Sequence, residues 1–175
     1  MATLPNPRTW SVGEVVTAAL VNAELRDALN FMLQAPYCEV SHNTTQSIAN
    51  NTAVEVTFNT EWYDTDSMHD TATNNSRITS ATTGIYLVTA QVAFAPNTTG
   101  TRELWLRRSD GTVYGRQSFN PANNNNGFLS TAWHVPLTAG QYVETFAFQN
   151  SGGALNISNA LGGGTRMSAR WVRKA

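Results

Sequence analysis

The hydrophobic positions of this chain recur with two different periods, and the change from one to the other divides it in two. Residues 15–33 contain no Gly or Pro and are rich in Ala, Leu, Val and Glu. Within and just beyond them Val21, Leu25, Ala28, Met32 and Ala35 follow a 4-3-4-3 spacing, the seam of an amphipathic helix, which Leu20, Leu29 and Leu33 widen. Thr17 is placed to cap this helix and Pro36 to end it. A helix this short is marginal alone in water. Its seam must therefore pack on its own domain or on the same helix of neighbouring copies.

From Tyr37 onward the period is two. Gly84–Phe94 sets Tyr86, Val88, Ala90, Val92 and Phe94 on one face and Ile85, Leu87, Thr89, Gln91 and Ala93 on the other, which predicts a strand buried on at least one side. Shorter alternations occupy residues 37–42 and 53–58. Arg102–Arg108 and residues 112–119 flank Ser109-Asp110-Gly111, a hairpin signal because Asp-Gly tolerates the positive φ of a tight turn. Gly127–Leu137 aligns Leu129, Thr131, Trp133, Val135 and Leu137; residues 141–149 align Tyr142, Phe146 and Phe148, interrupted by Glu144. Leu155 with Ile157, and then residues 165–173 with Met167, Ala169 and Trp171, complete the pattern. Many short strands joined by Gly and Asn turns predict a sandwich or jelly roll. The expected fold is all-β, a helix-bearing segment at 1–36 followed by a β-domain at 37–175.

Composition narrows the functional classes. Charged residues make up 13% of the chain and the net charge is −1, with no block of like charges, so no attraction to nucleic acid or an anionic membrane is expected. No apolar run reaches the roughly 20 residues that cross a bilayer, and residues 1–10 show no secretory signal. A soluble protein made in the cytoplasm is expected. Cys38 is the only cysteine, which excludes an intramolecular disulfide and predicts a small buried hydrophobe.

The most enzyme-like cluster is Glu61, Asp64, Asp66, His69 and Asp70. Two carboxylates can run glycoside hydrolysis, but three of these lie on one polar stretch that reads as a solvated turn. As a calcium loop it fails, with Met68 at the fifth position and no Gly at the sixth. His42, His69 and His134 have no metal-ligand spacing among themselves or with Cys38. No nucleophile elbow or phosphate loop appears, and Gly162-Gly163-Gly164 reads as a turn. No enzymatic activity, cofactor or metal is expected. Arg102, Arg107, Arg108 and Arg116 surround the Asp-Gly hairpin, either as charges that protect an edge or as a patch for an anionic partner. Asn123, Asn124, Asn125 and Asn126 form either a solvated loop or a set of amides suited to sugar hydroxyls.

Two resemblances cover most of the chain. Thr9-Trp10, Gly13-Glu14-Val15-Val16-Thr17-Ala18-Ala19, Asn22 and Leu25-Arg26-Asp27 resemble a leader of minor tail and other virion proteins of siphophages that infect actinobacteria. Leu20-Val21 stand where that leader usually has a polar residue, so this helix is the more apolar. Ser76-Arg77-Ile78-Thr79, Gly84-Ile85-Tyr86-Leu87, the hairpin at Asp110-Gly111, Val135-Pro136-Leu137 and the stretch from Ser168 to Val172 are similar to the C1q/TNF-like jelly roll found in phage virion proteins. Gln141 replaces an Asp common in that family, so no ion site is carried over. The resemblance implies a C1q/TNF-like jelly-roll sandwich preceded by a short helix, assembled as a homotrimeric knob of a phage tail that contacts the host surface. The alternative is a head or tail decoration protein with a purely structural, capping role. On this reading Trp10, Val21, Leu25, Arg26, Asp27, Leu29 and Met32 attach the knob to other virion proteins. Asn123, Asn124, Asn125 and Asn126, with Asp64, Asp66 and Asp70, are the expected contacts to a host-surface glycan.

Overall fold

The structure, a computed structural model, describes residues 2, 4–157 and 164–175; Gly162 and Gly163 of the expected glycine turn lie outside them. The helical segment comprises α1 (Ala18–Val21), a π-helical turn (Asn22–Arg26) and α2 (Asp27–Leu33). The strands are β1 (Tyr37–Ser41), β2 (Gln46–Ile48), β3 (Thr52–Glu55), β4 (Thr60–Asp64), β5 (Arg77–Thr79), β6 (Gly84–Phe94), β7 (Arg102–Arg108), β8 (Val113–Phe119), β9 (Gly127–Leu137), β10 (Tyr142–Gln149), β11 (Leu155–Ile157) and β12 (Arg166–Arg173). Among the described residues these strands form two antiparallel sheets.

β6 organises the larger sheet. It pairs along its full length with β9 on one edge and with β12, then β11, on the other; β12 continues through β1 to β4, and β2 joins β11. The second sheet runs β3–β10–β7–β8, with β5 also on β10. The alternation along β6 has the expected sense: Tyr86, Val88, Ala90, Val92 and Phe94 are buried, whereas Ile85, Leu87, Thr89 and Gln91 are half-buried on the opposite face. Facing them across the core are Ile78, Leu104, Leu106, Val143 and Ala147. Each large apolar side chain so buried contributes about 1.5–3 kcal/mol against conformational entropy. The Tyr86 hydroxyl donates to the Thr82 carbonyl at 2.6 Å, so the turn before β6 is closed from within.

Two faces are decided by the tertiary structure. Trp133 sits in register with Val88, yet is 50% exposed, on a strand that among the described residues pairs only with β6 and so forms an edge of the sheet. The aromatic face of β10 lies outside the sandwich; the core side of that strand is Val143, Thr145, Ala147 and Gln149. Phe146 stacks on Trp105 at 5.5 Å. Guanidinium groups cover the pair, Arg107 lying 3.9 Å above Phe146 and Arg116 4.6 Å above Trp105. Glu144 interrupts this face because it holds the cations: it accepts from Arg77 at 3.1 Å and Arg107 at 3.3 Å and is itself buried. Planar guanidinium groups suit this dual use, stacking on a ring while their edges donate.

The arginines near the hairpin are therefore not one patch. Arg107 pairs with Glu55 and Glu144, Arg108 with Asp110 and Arg116 with Glu103, while Arg102 is fully buried. Cys38 is buried as expected, and desolvation pushes its thiol well above the ordinary range. Because the thiolate is the reactive form, maleimide labelling of the folded protein at pH 7 should be at least tenfold slower than in denaturant. Equal rates would show that the thiol is open to solvent.

Candidate functional site

Two regions carry the expected site residues: the segment before β1, and two loops that lie at opposite ends of β6, residues 65–76 near Thr82 and residues 120–126 near Phe94. The first residues fold back onto the β-domain. The Ala2 N–H donates to Asp66 Oδ1 at 2.7 Å and its carbonyl accepts from the Thr82 hydroxyl at 3.0 Å. A turn follows in which the Glu14 N–H donates to the Ser11 carbonyl and the Glu14 carboxylate accepts from the Ser11 N–H, each at 3.1 Å. Arg8 pairs with the same carboxylate and lies 4.9 Å from the Trp10 ring. Thr17 caps α1 as expected, its hydroxyl accepting from the Leu20 N–H at 3.3 Å.

The helical segment has two apolar faces, not one seam. Leu20, Glu24 and Ala28 are half-buried and Phe31 is buried. The Phe31 ring meets Trp171 of β12 edge-on, 4.8 Å between centroids at 89°. Gly84 makes room for that tryptophan, since a Cβ there would overlap Trp171 Nε1. The second face is open: Val21, Leu25, Leu29, Met32 and Leu33 are between 38% and 81% exposed. Ala28 and Ala35, expected in the seam, belong to the inner side and Leu29 to the outer one. On a regular helical wheel Leu20, Glu24, Ala28, Phe31 and Ala35 already share one side, and the contact of Phe31 with Trp171 makes that side the inner one. Arg26 and Asp27 pair with each other at 2.8 Å on the exposed surface. A groove of about 600 Å³ separates the first residues from the helix, lined by Leu4, Pro7, Ala28 and Phe31 among others.

The structure separates the expected loop residues. Asn123, Asn124 and Asn125 are exposed and Asn126 is half-buried, between β8 and β9. The base of that loop is pinned where Phe119 lies against Gly127, so close that a Cβ would collide with the ring. Asp64 is committed to its own turn, accepting from the backbone N–H groups of Met68 and His69 at 2.9 and 3.0 Å. Asp66 is only 5% exposed and holds Ala2. Asp70 alone of the three is exposed; N–H donors from Thr73 and Ala72 hold its carboxyl below the usual range. It borders a polar hollow of about 260 Å³ with Ser67, His69, Thr73, Asn74 and Arg77. Expectation from the sequence thus grouped three aspartates that the fold assigns to three tasks. It also missed Phe31 and Trp171, which carry the helix; their signal was Phe31 standing three residues after Ala28.

A third exposed region was not expected. Between Glu39 and Val40 the pairing of β1 with β4 shifts by one residue. The consecutive Trp62 and Tyr63 are then 61% and 59% exposed, Trp62 donating to Ser41 Oγ at 2.9 Å and Tyr63 lying 5.8 Å from Tyr37. A bulge of this kind re-aims side chains that strict alternation would separate.

Solved structures with this arrangement of strands decide the fold. The globular domain of zebrafish complement 1qA matches with a TM-score of 0.58 at 14% identity, over 80% of this chain and 99% of that one. Murine APRIL matches with 0.61 at 16%, over 78% and 98%, and Eiger TNF from S. frugiperda with 0.53 at 15%, over 80% and 95%. The fold is a C1q/TNF-like jelly roll. No family profile matches the chain, and no curated protein matches it in sequence. Among the described residues no helix is long and apolar enough to cross a membrane.

Proposed function

We propose that this chain is a virion protein, a homotrimeric C1q-like knob that is carried by a phage tail and contacts the host surface. One observation supports this reading above the others: a jelly roll with a complete core is preceded by a segment whose large apolar side chains face outward. Trp10, Val12, Val15, Val16, Val21, Leu25, Leu29, Met32 and Leu33 are all exposed. A monomer rarely leaves so many uncovered together unless a partner meets them. That segment carries the Trp–Gly-Glu–Thr-Ala-Ala–Arg-Asp pattern of the virion leader, so it is the attachment side. The exposed Trp62, Tyr63, Phe128 and Trp133 on the β4 and β9 sides of the larger sheet supply a surface for association of the knobs. Native mass measurement should give a trimer at micromolar concentration; a stable monomer would refute it.

Host contact would then come from loops, because the strand faces are taken by core and partners. Residues 123–126 offer four amides, each both donor and acceptor for sugar hydroxyls, and Asp70 with its neighbouring hollow offers a second contact. Three copies on one trimer and several trimers on one particle raise avidity by about 10²–10⁴ over a weak single site. Replacing residues 123–126 by Gly and Ser, or Asp70 by Ala, should reduce particle adsorption at least tenfold while moving the melting temperature by less than about 2 °C. The second reading, a decoration protein that only caps a site on the particle, is favoured by one finding: Asp64 and Asp66 spend their oxygens within the fold. Unchanged adsorption in both variants, with trimers intact, would select it.

A further inference from the structure

We infer that four loops at the end of the sandwich opposite the leader form one binding surface of asparagine amides, and that its ligand is an uncharged polysaccharide. The inference rests on the host contact proposed above and names its site and its ligand class. The register of the sheets places this surface. β6 spans about 33 Å at the usual rise per residue. The leader occupies its first end: Ala2 meets Asp66 and Thr82 just before β6, and Phe31 meets Trp171, the register partner of Tyr86. At the other end Phe94 pairs with Gly127, and Arg102 with both Phe119 and Gln149. Residues 95–101, 120–126 and 150–154 leave the strands there, and residues 49–51 join them because Thr52 pairs with Gln149. The leader and these loops thus lie at opposite ends of the domain.

Side-chain amides tie the four loops together. The Gly152 N–H donates to Asn50 Oδ1 at 2.8 Å, the Thr99 N–H to Asn97 Oδ1 at 2.7 Å, and the Thr101 N–H to Asn150 Oδ1. The Thr101 hydroxyl meets Asn120 Oδ1 at 2.8 Å, which links in the loop of Asn123, Asn124 and Asn125. A backbone N–H can only donate, so Asn50, Asn97 and Asn150 spend their oxygens within the fold and keep their amide nitrogens as donors. Among the described residues no acceptor meets those three Nδ2 groups. Asn50 and Asn150 are exposed and Asn97 is half-buried. Arg102 adds the same bias from below. Its guanidinium turns the carbonyls of Asn97, Thr99 and Thr101 inward, so this loop also spends its acceptors inside. The surface therefore presents donors held in place, and suits a ligand that accepts through hydroxyl, ring or acetamido oxygens. Charge narrows the class. Residues 49–51, 95–101, 120–126 and 150–154 contain no Lys, Arg, Asp or Glu, and Arg102 beneath them is fully buried. An anionic polymer would give up water there without meeting an exposed cation, a cost that an uncharged one does not incur.

Binding of the full-length protein to polysaccharide stripped from cells that adsorb the particles tests this. Anion exchange splits that polymer into an uncharged fraction and one bearing phosphate or carboxylate. The protein should bind the uncharged fraction, its affinity changing less than about twofold between about 0.05 and 0.5 M salt. Asn50→Asp together with Asn97→Asp keeps each accepting oxygen and removes each donor. This double variant should bind at least about tenfold more weakly while its melting temperature moves by less than about 2 °C. A purely structural role for the amides predicts no loss, since a carboxylate holds the same N–H groups. The same exchange at the leader's end, Asn30→Asp, should leave binding unchanged. Wild-type affinity in the double variant would remove these amides from the contact. Capture of the charged fraction alone, weakening steeply with salt, would overturn the ligand class. Protein that binds the cells but neither fraction would overturn the polysaccharide and point to a protein receptor. Protein that does not bind the cells at all would remove the host contact itself, the reading on which this site rests.

Discussion

Replacing Arg102 by Ala should lower stability by about 3 kcal/mol, seen as a fall of about 6–12 °C in melting temperature for a domain of this size. The sequence places this arginine beside three others around a hairpin, as though at the surface. In the structure it is fully buried at the start of β7, its strand neighbours being Gln149 of β10 and Phe119 of β8. Its guanidinium donates to the carbonyls of Asn97, Thr99 and Thr101 at 3.2, 2.9 and 3.2 Å, gathering the loop between β6 and β7 around one cation. Burial pushes its pKa down, against its ordinary always-charged state. The group therefore survives in the interior because several carbonyl dipoles replace its water. Truncation leaves a cavity and those carbonyls without their donor, each a cost of about 1–3 kcal/mol where water cannot enter. Arg102→Met separates the two terms, keeping an apolar stem of similar reach while removing the donors. A loss below about 1 kcal/mol for the alanine variant would show that the loop is held by other means.

The second large effect concerns attachment. Protein lacking residues 1–34 should still fold as a jelly roll yet enter particles at less than one-tenth of the normal copy number. Its core is complete without the leader, since of the helical residues only Phe31 is buried. The deletion is not neutral for the domain, however. It uncovers Trp171 and removes Ala2 from Asp66, and the edge-on ring contact alone is worth about 0.5–1.5 kcal/mol beyond area. A melting temperature lower by a few degrees, about 2–4 °C per kcal/mol, should accompany the loss of incorporation. A fragment that fails to fold would place the leader inside the domain's folding unit; normal incorporation would move the anchor into the jelly roll.

What could be read from the chain alone was whatever depends on local spacing. The strict alternation in Gly84–Phe94 fixes which side chains face the core, because a strand repeats every two residues whatever lies around it. The Asp-Gly turn, the cap at Thr17 and the burial of Cys38 follow from equally short-range chemistry. Spacing alone led to a β-sandwich; the jelly roll was legible only through the resemblance carried by Gly84-Ile85-Tyr86-Leu87 and the motifs around it, and the solved structures agree with that fold. Three matters were decided only by the tertiary structure. Alternation in β10 gave two faces but not which is inner; its aromatic face lies outside, where guanidinium groups from β5 and β7, distant in sequence, cover Tyr142 and Phe146. Neighbouring aspartates read as one acidic loop, yet Asp64 closes a turn, Asp66 meets Ala2 and Asp70 faces solvent. The wheel of the helix carries apolar residues over a wide arc, and only the contact of Phe31 with Trp171 decides which part of that arc is docked and which is open. Periodicity assigns a side chain to a face; which surface meets that face depends on contacts between residues up to about 140 positions apart, and those exist only once the chain has folded.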